Sequence, residues 1–408
     1  MTTVGFTDEL SHSSKLAVGI AARSFGAAQI RAKLIAMRGE LRAFVCGLTE
    51  AQLTPPIIET INPPLWEAAH VAWFAEWWCV RDAYNTDSGD TRADRPSLWD
   101  GCDAFLNSNT IAHAARWSVP QLTRAATLDY LDRSLAATLE RLDCAEPTDD
   151  ALCPFRLAMF HEAMHLEAIA WCAQTLAWPM PAWVDGSAIA RHAAPPTDGF
   201  VVQTRLLNVD TTATGFCFDN ERNPPPPKPI TTPLSSALVS NAQYAQFVES
   251  GAFEATVRAA HPRYWRRSSD GAWQQRRFDQ WVALAPDEPV VHISALEAEA
   301  FAVHHGGRLP TEPELARWLT LPSPNGATAW HGAVWEWTLS DFAPYENFKP
   351  DRYREYSAPW FDGQHRVLRG ASFATLNVMH HPNYRNFFQP QRGDVFAGFR
   401  VVDESAQN

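Results

Sequence analysis

The chain changes its sequence texture near residue 180, and this change limits what it can fold into. Before this point, apolar residues recur every three to four positions in stretches rich in Ala, Leu and Arg, a pattern typical of amphipathic helices. Beyond Pro179, glycine, proline, asparagine and short β-rich runs such as FVVQTRLL dominate. We therefore expect an α+β protein with a helical domain over residues 1–180 and a mixed domain over residues 181–408, each long enough to bury its own core.

Four long helical patterns occupy the first domain. The first covers residues 14–48, and the second begins at Pro63 and Pro64, which suit a helix entrance. The third follows Pro120, and the fourth ends before Pro179. Four helices of this length joined by loops predict an antiparallel four-helix bundle.

Two shorter helices are expected in the second domain. The stretch SNAQYAQFVESG begins with a capping residue, Ser240, and ends at Gly251. The stretch SALEAEAFAVHHGG has the same layout, with Ser294 at its start and Gly306 at its end.

Charge and composition indicate which kinds of binding partner and which cellular compartment to expect. The formal net charge of −12 argues against nucleic acid or an anionic membrane as a partner. No apolar run approaches the roughly 20 residues that span a bilayer, and the N-terminus lacks the layout of a signal peptide. The seven cysteines are scattered without a CxxC pair, which does not favour a disulfide framework. We expect a soluble, cytoplasmic protein that acts on small molecules; the oligomeric state is left open.

The stretch MFHEAMHLEAIAW contains the expression His-Glu-x-x-His, which is typical of zinc proteases. His161 and His165 are four residues apart and share one face of a helix, whereas Glu167 lies about 200° around the helix from His165. A zinc protease would use Glu162 as its base and would need a third ligand downstream, which the sequence does not offer nearby. Upstream, His70 lies in the apolar helix LWEAAHVAWF and can complete a site between facing bundle helices.

A three-histidine site is compatible with more than one metal. Imidazole suits zinc and ferrous iron equally, so the ligand type leaves both open. On octahedral iron, three histidines leave three positions for substrate and O2, whereas on tetrahedral zinc they leave one position for water.

The sequence resembles a known family over nearly its whole length and in the same order. The first half is similar to the DinB-type helical bundle of the ergothioneine-biosynthesis sulfoxide synthases, in which a lone His precedes His-x-x-x-His-x-Glu. The second half resembles the formylglycine-generating-enzyme/sulfatase-modifying domain, which has a C-type-lectin-like fold. The stretches that carry this second likeness are FDNERNPPPP (218–227), PVVHISALEAEAFAVHHGGRLPTEPEL (289–315), HGAVWEWTLSDFAPYENF (331–348), YREYSAPWFDGQHRVLRGASFATL (353–376) and NYRNFFQPQRGDVFAGFRVV (383–402).

The resemblance implies a non-haem Fe(II) enzyme, not a protease. It would use O2 to join a chalcogen to C2 of the imidazole of hercynine (Nα-trimethylhistidine), with iron held by His70, His161 and His165. A trimethylammonium group cannot donate a hydrogen bond and needs aromatic faces and nearby oxygen atoms. The candidates for the ammonium are Asn386, Phe387, Asp394 and Phe396, and those for the carboxylate are Arg385 and Arg400. Tyr356 is the candidate proton donor.

The departures from the family pattern concern the chalcogen donor. Family members that take γ-glutamylcysteine carry paired tyrosines and an arginine-rich stretch where this chain reads FLNSNTIAHAARWSVP, with Arg116 as the remaining arginine. The frequent HEQQH is HEAMH here, which places Met164 towards the imidazole. The loss of arginines predicts a donor without two carboxylates, held by Asn107 and Ser108. This favours the selenoneine synthase branch, which couples hercynine to a selenosugar.

Two other functions stay open at this point. One is a hercynine sulfoxide synthase that uses cysteine or γ-glutamylcysteine. The other is a zinc-dependent thiol transferase or hydrolase of the DinB type, which would bind zinc and would not consume O2.

Overall fold

The computed structural model describes residues 12–81, 95–187, 189, 200–201, 215–225, 234–235, 237–320 and 332–404. Within these ranges the chain forms both helices and strands, which confirms the predicted α+β class. The predicted domain boundary at residues 180/181 stays a prediction; positions 188 and 190–199, further along the chain, lie outside the described residues. None of the helices in the described ranges combines the length and the apolar character that crossing a membrane requires.

The first half of the chain is helical, as predicted. Its α-helices are α1 (His12–Ala22), α2 (Ala27–Gly47), α3 (Glu50–Leu53), α4 (Pro64–Ala75), α5 (Asp103–Leu106), α6 (Arg124–Asp143) and α7 (Asp149–Thr175). The four long helices α2, α4, α6 and α7 pack against one another around a shared apolar core. The likeness of this assembly to the DinB type stays a prediction.

The prediction of one helix over residues 14–48 was wrong, because the chain breaks between α1 and α2. The backbone carbonyl of Arg23 accepts a hydrogen bond of 2.7 Å from the amide of Phe216, far along the chain. Gly26 then precedes α2 with an extended backbone. A long-range contact therefore ends a helix that the local pattern would have continued.

Helix α4 is the innermost element of the bundle. It begins at Pro64, whose fixed φ suits the first helical position and whose missing N–H would have no helical partner there. All its residues from Pro64 to Ala75 are buried, and the chain continues as a π-helical turn over Glu76–Val80. Such turns occur frequently at functional sites.

The described residues of the second half form short helices and three small sheets. Its helices are α8 (Asn241–Glu249), α9 (Ala252–Val257), α10 (Ala295–His304) and α11 (Glu312–Thr320). Its strands are β1 (Phe200–Val201), β2 (Leu234–Ser235), β3 (Trp265–Arg267), β4 (Trp273–Arg277), β5 (Gln280–Ala283), β6 (Gly307–Arg308), β7 (Trp335–Asp341), β8 (Arg366–Arg369), β9 (Asn386–Phe388), β10 (Ala397–Gly398) and β11 (Val402–Asp403). The strand orders are β1-β2-β11-β6, β10-β7-β8-β9 and β3-β4-β5.

The two helix starts predicted here are confirmed. The hydroxyl of Ser240 accepts a hydrogen bond from the amide of Gln243, and that of Ser294 accepts one from the amide of Glu297. In both helices the third residue also reaches back to the cap, which forms a capping box.

A buried carboxylate on α7 joins the helical half to the mixed half. Glu167 accepts hydrogen bonds from the indole of Trp335 at 2.7 Å, the hydroxyl of Ser372 at 2.6 Å and the hydroxyl of Thr375 at 2.8 Å. Helix α7 therefore packs within the bundle on one side and forms hydrogen bonds with the second domain on another.

Candidate metal centre

Three histidines from two bundle helices converge on one point. His70 lies in the middle of α4, and His161 and His165 lie about one turn apart on α7. One ring nitrogen of each histidine lies within 4.8 Å of the corresponding nitrogens of the other two. The structure thus brings together the three side chains that the sequence singled out as ligands.

A buried carboxylate fixes the orientation of His165. Its Nδ1 donates to Oε1 of Glu67 over 2.5 Å, which leaves the lone pair on Nε2. That Nε2 lies 3.0 Å from Nε2 of His161. Two nitrogens bound about 2.1 Å from one ion and roughly at right angles would be about 3.0 Å apart, so this spacing fits a pair of ligands on one cation.

His70 is oriented by a carbonyl and by a stacked indole. Its Nδ1 donates to the carbonyl oxygen of Leu106 over 2.7 Å, so Nε2 carries the lone pair. The ring lies nearly parallel to that of Trp66, with a centroid distance of 4.8 Å. Burial lowers the pKa of His70 to about 3, which keeps the imidazole neutral and able to bind a metal.

His161 is buried against an aromatic ring. It stacks on Phe74 with a centroid distance of 3.5 Å, and its Nδ1 has no hydrogen-bond partner among the described residues. Burial, and then the nearby His165 and His70, hold the pKa of His161 well below its usual range. Three imidazoles around one point are a donor set that fits ferrous iron or zinc.

The three glutamates near the histidines have separate tasks. Burial alone would raise the pKa of Glu67, but the interaction with His165 outweighs it, and the pKa is lowered overall. Glu162, the base that a zinc protease would use, pairs with Arg38 through Nε and Oε1 at 2.9 Å. Glu167 is bonded to the second domain, which agrees with its predicted exclusion from the ligand set.

A cavity of about 150 Å³ opens beside His70. Its wall is mostly aromatic, with amides, a hydroxyl and one carboxylate among the aromatic rings. The lining residues are His70, Trp73, Phe74, Trp77, Trp78, Asn107, Ser108, Asn109, Tyr353 and Glu355. The structure thus places the predicted pair Asn107 and Ser108 beside the histidines.

Arg116 does not line this cavity. Its Nη1 donates to Oδ1 of Asn62 at 2.7 Å, its Nη2 donates to the carbonyl of Ser108 at 3.2 Å, and its guanidinium lies 4.2 Å from the centre of the Trp66 ring. The cavity wall formed by the described residues therefore contains no guanidinium.

Two tyrosines lie near the histidines, and the sequence reasoning singled out one of them. The hydroxyl of Tyr356 lies 3.6 Å from Sδ of Met164, on the helix that carries His161 and His165. Tyr353, which was missed, lines the cavity and packs edge-on against Phe74. Burial raises the pKa of both tyrosines well above the ordinary value, so both hydroxyls keep their protons at neutral pH.

The structure pairs both candidate arginines, Arg385 and Arg400, with buried carboxylates, and their proposed binding of a substrate carboxylate stays a prediction. Arg385 makes two hydrogen bonds to the carboxylate of Glu312, at 2.7 and 2.9 Å. Arg400 makes two to Glu336, at 2.5 and 3.1 Å. Both guanidiniums are buried, so the charges are already paired inside the second domain.

The aromatic and acidic candidates of the C-terminal stretch fall into two groups. Phe396 is fully buried among Phe278, His292 and Phe373, and the carboxylate of Asp394 is paired with Arg392 at 2.6 Å, so neither presents a free group to an ammonium ion. Their role as substrate residues stays a prediction. The second group, Asn386 and Phe387, is half-buried on β9, and the ring of Phe387 lies 6.5 Å from that of Tyr356.

Comparison with protein families defines the class of the second half. Residues 209–318 and 320–405 match the model of the Sulfatase-modifying factor enzyme 1-like domain. This part of the chain is therefore an FGE-sulfatase domain, as the resemblance implied.

Comparison with curated proteins extends the likeness to most of the chain. Hercynine oxygenase from Mycobacterium tuberculosis is 28% identical over 412 residues, which cover 86% of this chain and 93% of the relative. Hercynine oxygenase from Mycolicibacterium smegmatis is 28% identical over 418 residues, which cover 86% and 94%. Ergothioneine biosynthesis protein 1 from Schizosaccharomyces pombe is 27% identical over 221 residues, which cover 46% of this chain and 27% of the relative. These findings support the resemblance to the ergothioneine sulfoxide synthase family; none of these three relatives is named for selenium chemistry.

Proposed function

We propose that this protein is a non-haem iron oxygenase that couples a chalcogen donor to C2 of the imidazole ring of hercynine. The observation that supports it most is the convergence of three histidines beside an aromatic cavity, in a chain similar to hercynine oxygenases over 86% of its length. The C2–H and chalcogen–H bonds break and the C2–chalcogen bond forms. One oxygen atom of O2 goes to the chalcogen, and the other leaves as water with the two hydrogens.

His70, His161 and His165 are proposed to hold the iron. Ferrous iron bound there would supply the redox chemistry with O2 and a position for the donor's chalcogen. Glu67 keeps the proton on Nδ1 of His165, so the opposite nitrogen stays available. Phe74 covers one face of His161 and limits the access of water to it.

The proton supply is assigned to the two buried tyrosines. Tyr353 lines the cavity, and its protonated hydroxyl can donate to an oxygen atom held there. Tyr356 lies against Met164 and is not among the residues that line this cavity. Asn386 and Phe387 remain the proposed contacts for the trimethylammonium end of hercynine, next to Tyr356.

A sulfur donor is the candidate that the relatives favour. Their names refer to hercynine oxygenation and to ergothioneine biosynthesis, and this supports a C–S bond-forming sulfoxide synthase that uses cysteine or γ-glutamylcysteine.

A selenosugar donor is the second candidate, and the cavity wall favours it. Trp73, Trp77 and Trp78 offer flat apolar faces of the kind that a sugar ring can pack against. The amides of Asn107 and Asn109 can bond sugar hydroxyls, whereas two carboxylates would meet Glu355 and no guanidinium on this wall.

An aerobic assay of the Fe(II)-loaded protein tests the function and separates the donors. Hercynine is supplied with a selenosugar, a thiosugar, cysteine or γ-glutamylcysteine, and O2 uptake and coupled products are measured by electrode and mass spectrometry. The variant His165→Ala serves as the inactive control, and His304→Ala, on the exposed end of α10, serves as the matched histidine control.

We expect O2-dependent coupling to hercynine that is lost in His165→Ala and kept in His304→Ala. Coupling only with γ-glutamylcysteine or cysteine would identify the sulfoxide synthase, and coupling only with the selenosugar would identify the selenium branch. Zinc binding without O2 uptake with any donor would overturn the proposal in favour of a zinc-dependent thiol enzyme.

A further inference from the structure

A chain of buried and half-buried polar groups leads from Arg116 to a ring of the histidine cluster. Arg116 donates to Oδ1 of Asn62 at 2.7 Å, and Nδ2 of Asn62 donates to Oε2 of Glu67 at 2.5 Å. The other oxygen of Glu67 accepts from Nδ1 of His165. Each carboxylate oxygen of Glu67 thus has one donor, and both oxygens are fixed in position.

A second path leads from the same arginine to a second histidine. The guanidinium of Arg116 lies 4.2 Å from the centre of the Trp66 ring, and Trp66 stacks on His70 with an angle of 8° between the rings. The layers Arg116, Trp66 and His70 are therefore held face to face. One cation braces two of the three histidines by two different routes.

The cavity wall is attached to the same network. Three carbonyl groups of one short segment accept hydrogen bonds: Phe105 from the indole of Trp66 at 2.7 Å, Leu106 from His70 and Ser108 from Arg116. This segment contains Asn107 and ends at Ser108, both of which line the cavity. The position of the wall and the orientation of His70 therefore depend on each other.

We infer that Arg116 and Asn62 are positioning residues for the metal centre and for the adjoining cavity wall. They hold His165 through Glu67 and His70 through Trp66, and they do not touch a ligand themselves. This inference rests on the proposed role of the three histidines as metal ligands. On this inference, Arg116 supports the metal centre from behind and does not contact a carboxylate of the chalcogen donor.

The alternative is that Arg116 only stabilises the fold, and the geometry distinguishes the two. A purely structural arginine would pair directly with a carboxylate that has no further role. Here the path runs from Arg116 through the amide of Asn62 to Glu67, whose other oxygen accepts from the metal-ligand candidate His165. Loss of Arg116 would free Asn62 to rotate and would leave Glu67 with one donor. The ring of His165 would then lose its fixed orientation. Replacement of a group that orients a metal ligand typically weakens metal affinity by about 10- to 100-fold.

The test uses the full chain and Co²⁺ as a spectroscopic probe, so it needs no substrate. Arg116→Met removes the charge and both hydrogen bonds, Asn62→Ala removes the amide link and keeps the stack on Trp66, and Arg116→Lys restores a cation. Arg31→Met is the matched control, because Arg31 pairs with Asp143 on the exposed surface of the bundle. The dissociation constant of Co²⁺, its visible absorption spectrum and the thermal midpoint are measured for each protein.

We expect Arg116→Met and Asn62→Ala to weaken Co²⁺ binding about tenfold and to alter the absorption bands, with partial recovery in Arg116→Lys. Arg31→Met should behave as the wild type. Unchanged affinity and spectrum in both folded variants would overturn the inference. If Arg116→Met does not fold, Asn62→Ala decides by the same criteria. Failure of the wild-type protein to bind Co²⁺ would instead overturn the proposed metal site, and with it the inference.

Discussion

The indole nitrogen of Trp335 donates a hydrogen bond of 2.7 Å to Oε1 of Glu167, two residues beyond His165 on the same helix. The hydroxyls of Ser372 and Thr375 complete the set of donors to this carboxylate. The contact joins the helix that carries two of the proposed metal ligands to the FGE-sulfatase domain.

Replacement of Glu167 by alanine should destabilise the protein strongly. The variant would take this acceptor from three buried donors, and we expect a loss of about 3–5 kcal/mol in the free energy of unfolding. Glu167→Gln should lose less, because its amide oxygen can still accept. Urea unfolding measures the change, with Glu140→Ala on the exposed face of α6 as the control. A loss below about 1 kcal/mol in Glu167→Ala would contradict the proposed link.

Replacement of Glu67 by glutamine should weaken metal binding without unfolding the protein. A neutral amide holds the Nδ1 proton of His165 less firmly than a carboxylate, so the ring loses both basicity and orientation. We expect the dissociation constant for Fe²⁺ or Co²⁺ to rise about 10- to 100-fold. Equilibrium dialysis measures it. Affinity equal to that of the wild type would show that this carboxylate does not act on a metal ligand.

The two tyrosines should respond differently to loss of the hydroxyl. If Tyr353 donates the proton in the cavity, Tyr353→Phe should lower kcat by about 10²- to 10⁴-fold with little change in KM for hercynine. Tyr356→Phe removes the contact with Met164, and we expect a smaller effect on kcat. Steady-state kinetics with the preferred donor compare the variants. The reverse order of effects would return the catalytic assignment to Tyr356.

A charge placed on the cavity wall should change the choice of donor. Ser108→Arg adds a guanidinium beside Asn107, where it can pair with a donor carboxylate. We expect the ratio of kcat/KM for γ-glutamylcysteine to that for a neutral sugar donor to rise about tenfold or more. Ser108→Gln is the control for side-chain length. An equal shift in both variants would mean that bulk, not charge, controls the donor.

A buried histidine in the second domain should make the protein sensitive to acid. Burial lowers the pKa of His292 to about 3, whereas an unfolded chain would give about 6.5. The folded pKa is the lower one, so the stabilisation is present above about pH 6.5 and is lost as the pH falls towards 3. The expected slope is about 1.4 kcal/mol per pH unit in that window.

The variant His292→Asn isolates this contribution. Asparagine tolerates the positive φ of 65° at this position and does not titrate. Urea unfolding of both proteins between pH 7.5 and 5 should show a stability difference that shrinks as the pH falls. If the free energy of unfolding changed with pH equally in both proteins, the assignment of this acid sensitivity to His292 would be contradicted.

The parts of the structure that local signals control could be predicted from the sequence. Pro64, Ser240 and Ser294 mark helix starts because their effects involve neighbouring residues. The pair His161 and His165 could be placed on one helical face for the same reason. The ion pairs of Arg385 with Glu312 and of Arg400 with Glu336 could not be predicted, because each joins residues far apart along the chain.

Helix α7 also bears on how such a protein can be recombined. Its residues belong to the first domain along the chain, but Glu167 takes its three donors from Trp335, Ser372 and Thr375 of the second. A chimera that joins this bundle to the second domain of a relative at residue 180 would keep this contact only if that domain supplies the same three donors. The part of the chain that must be kept intact in a recombined protein is therefore larger than either domain. It includes Glu167 on α7 and the three residues that donate to it.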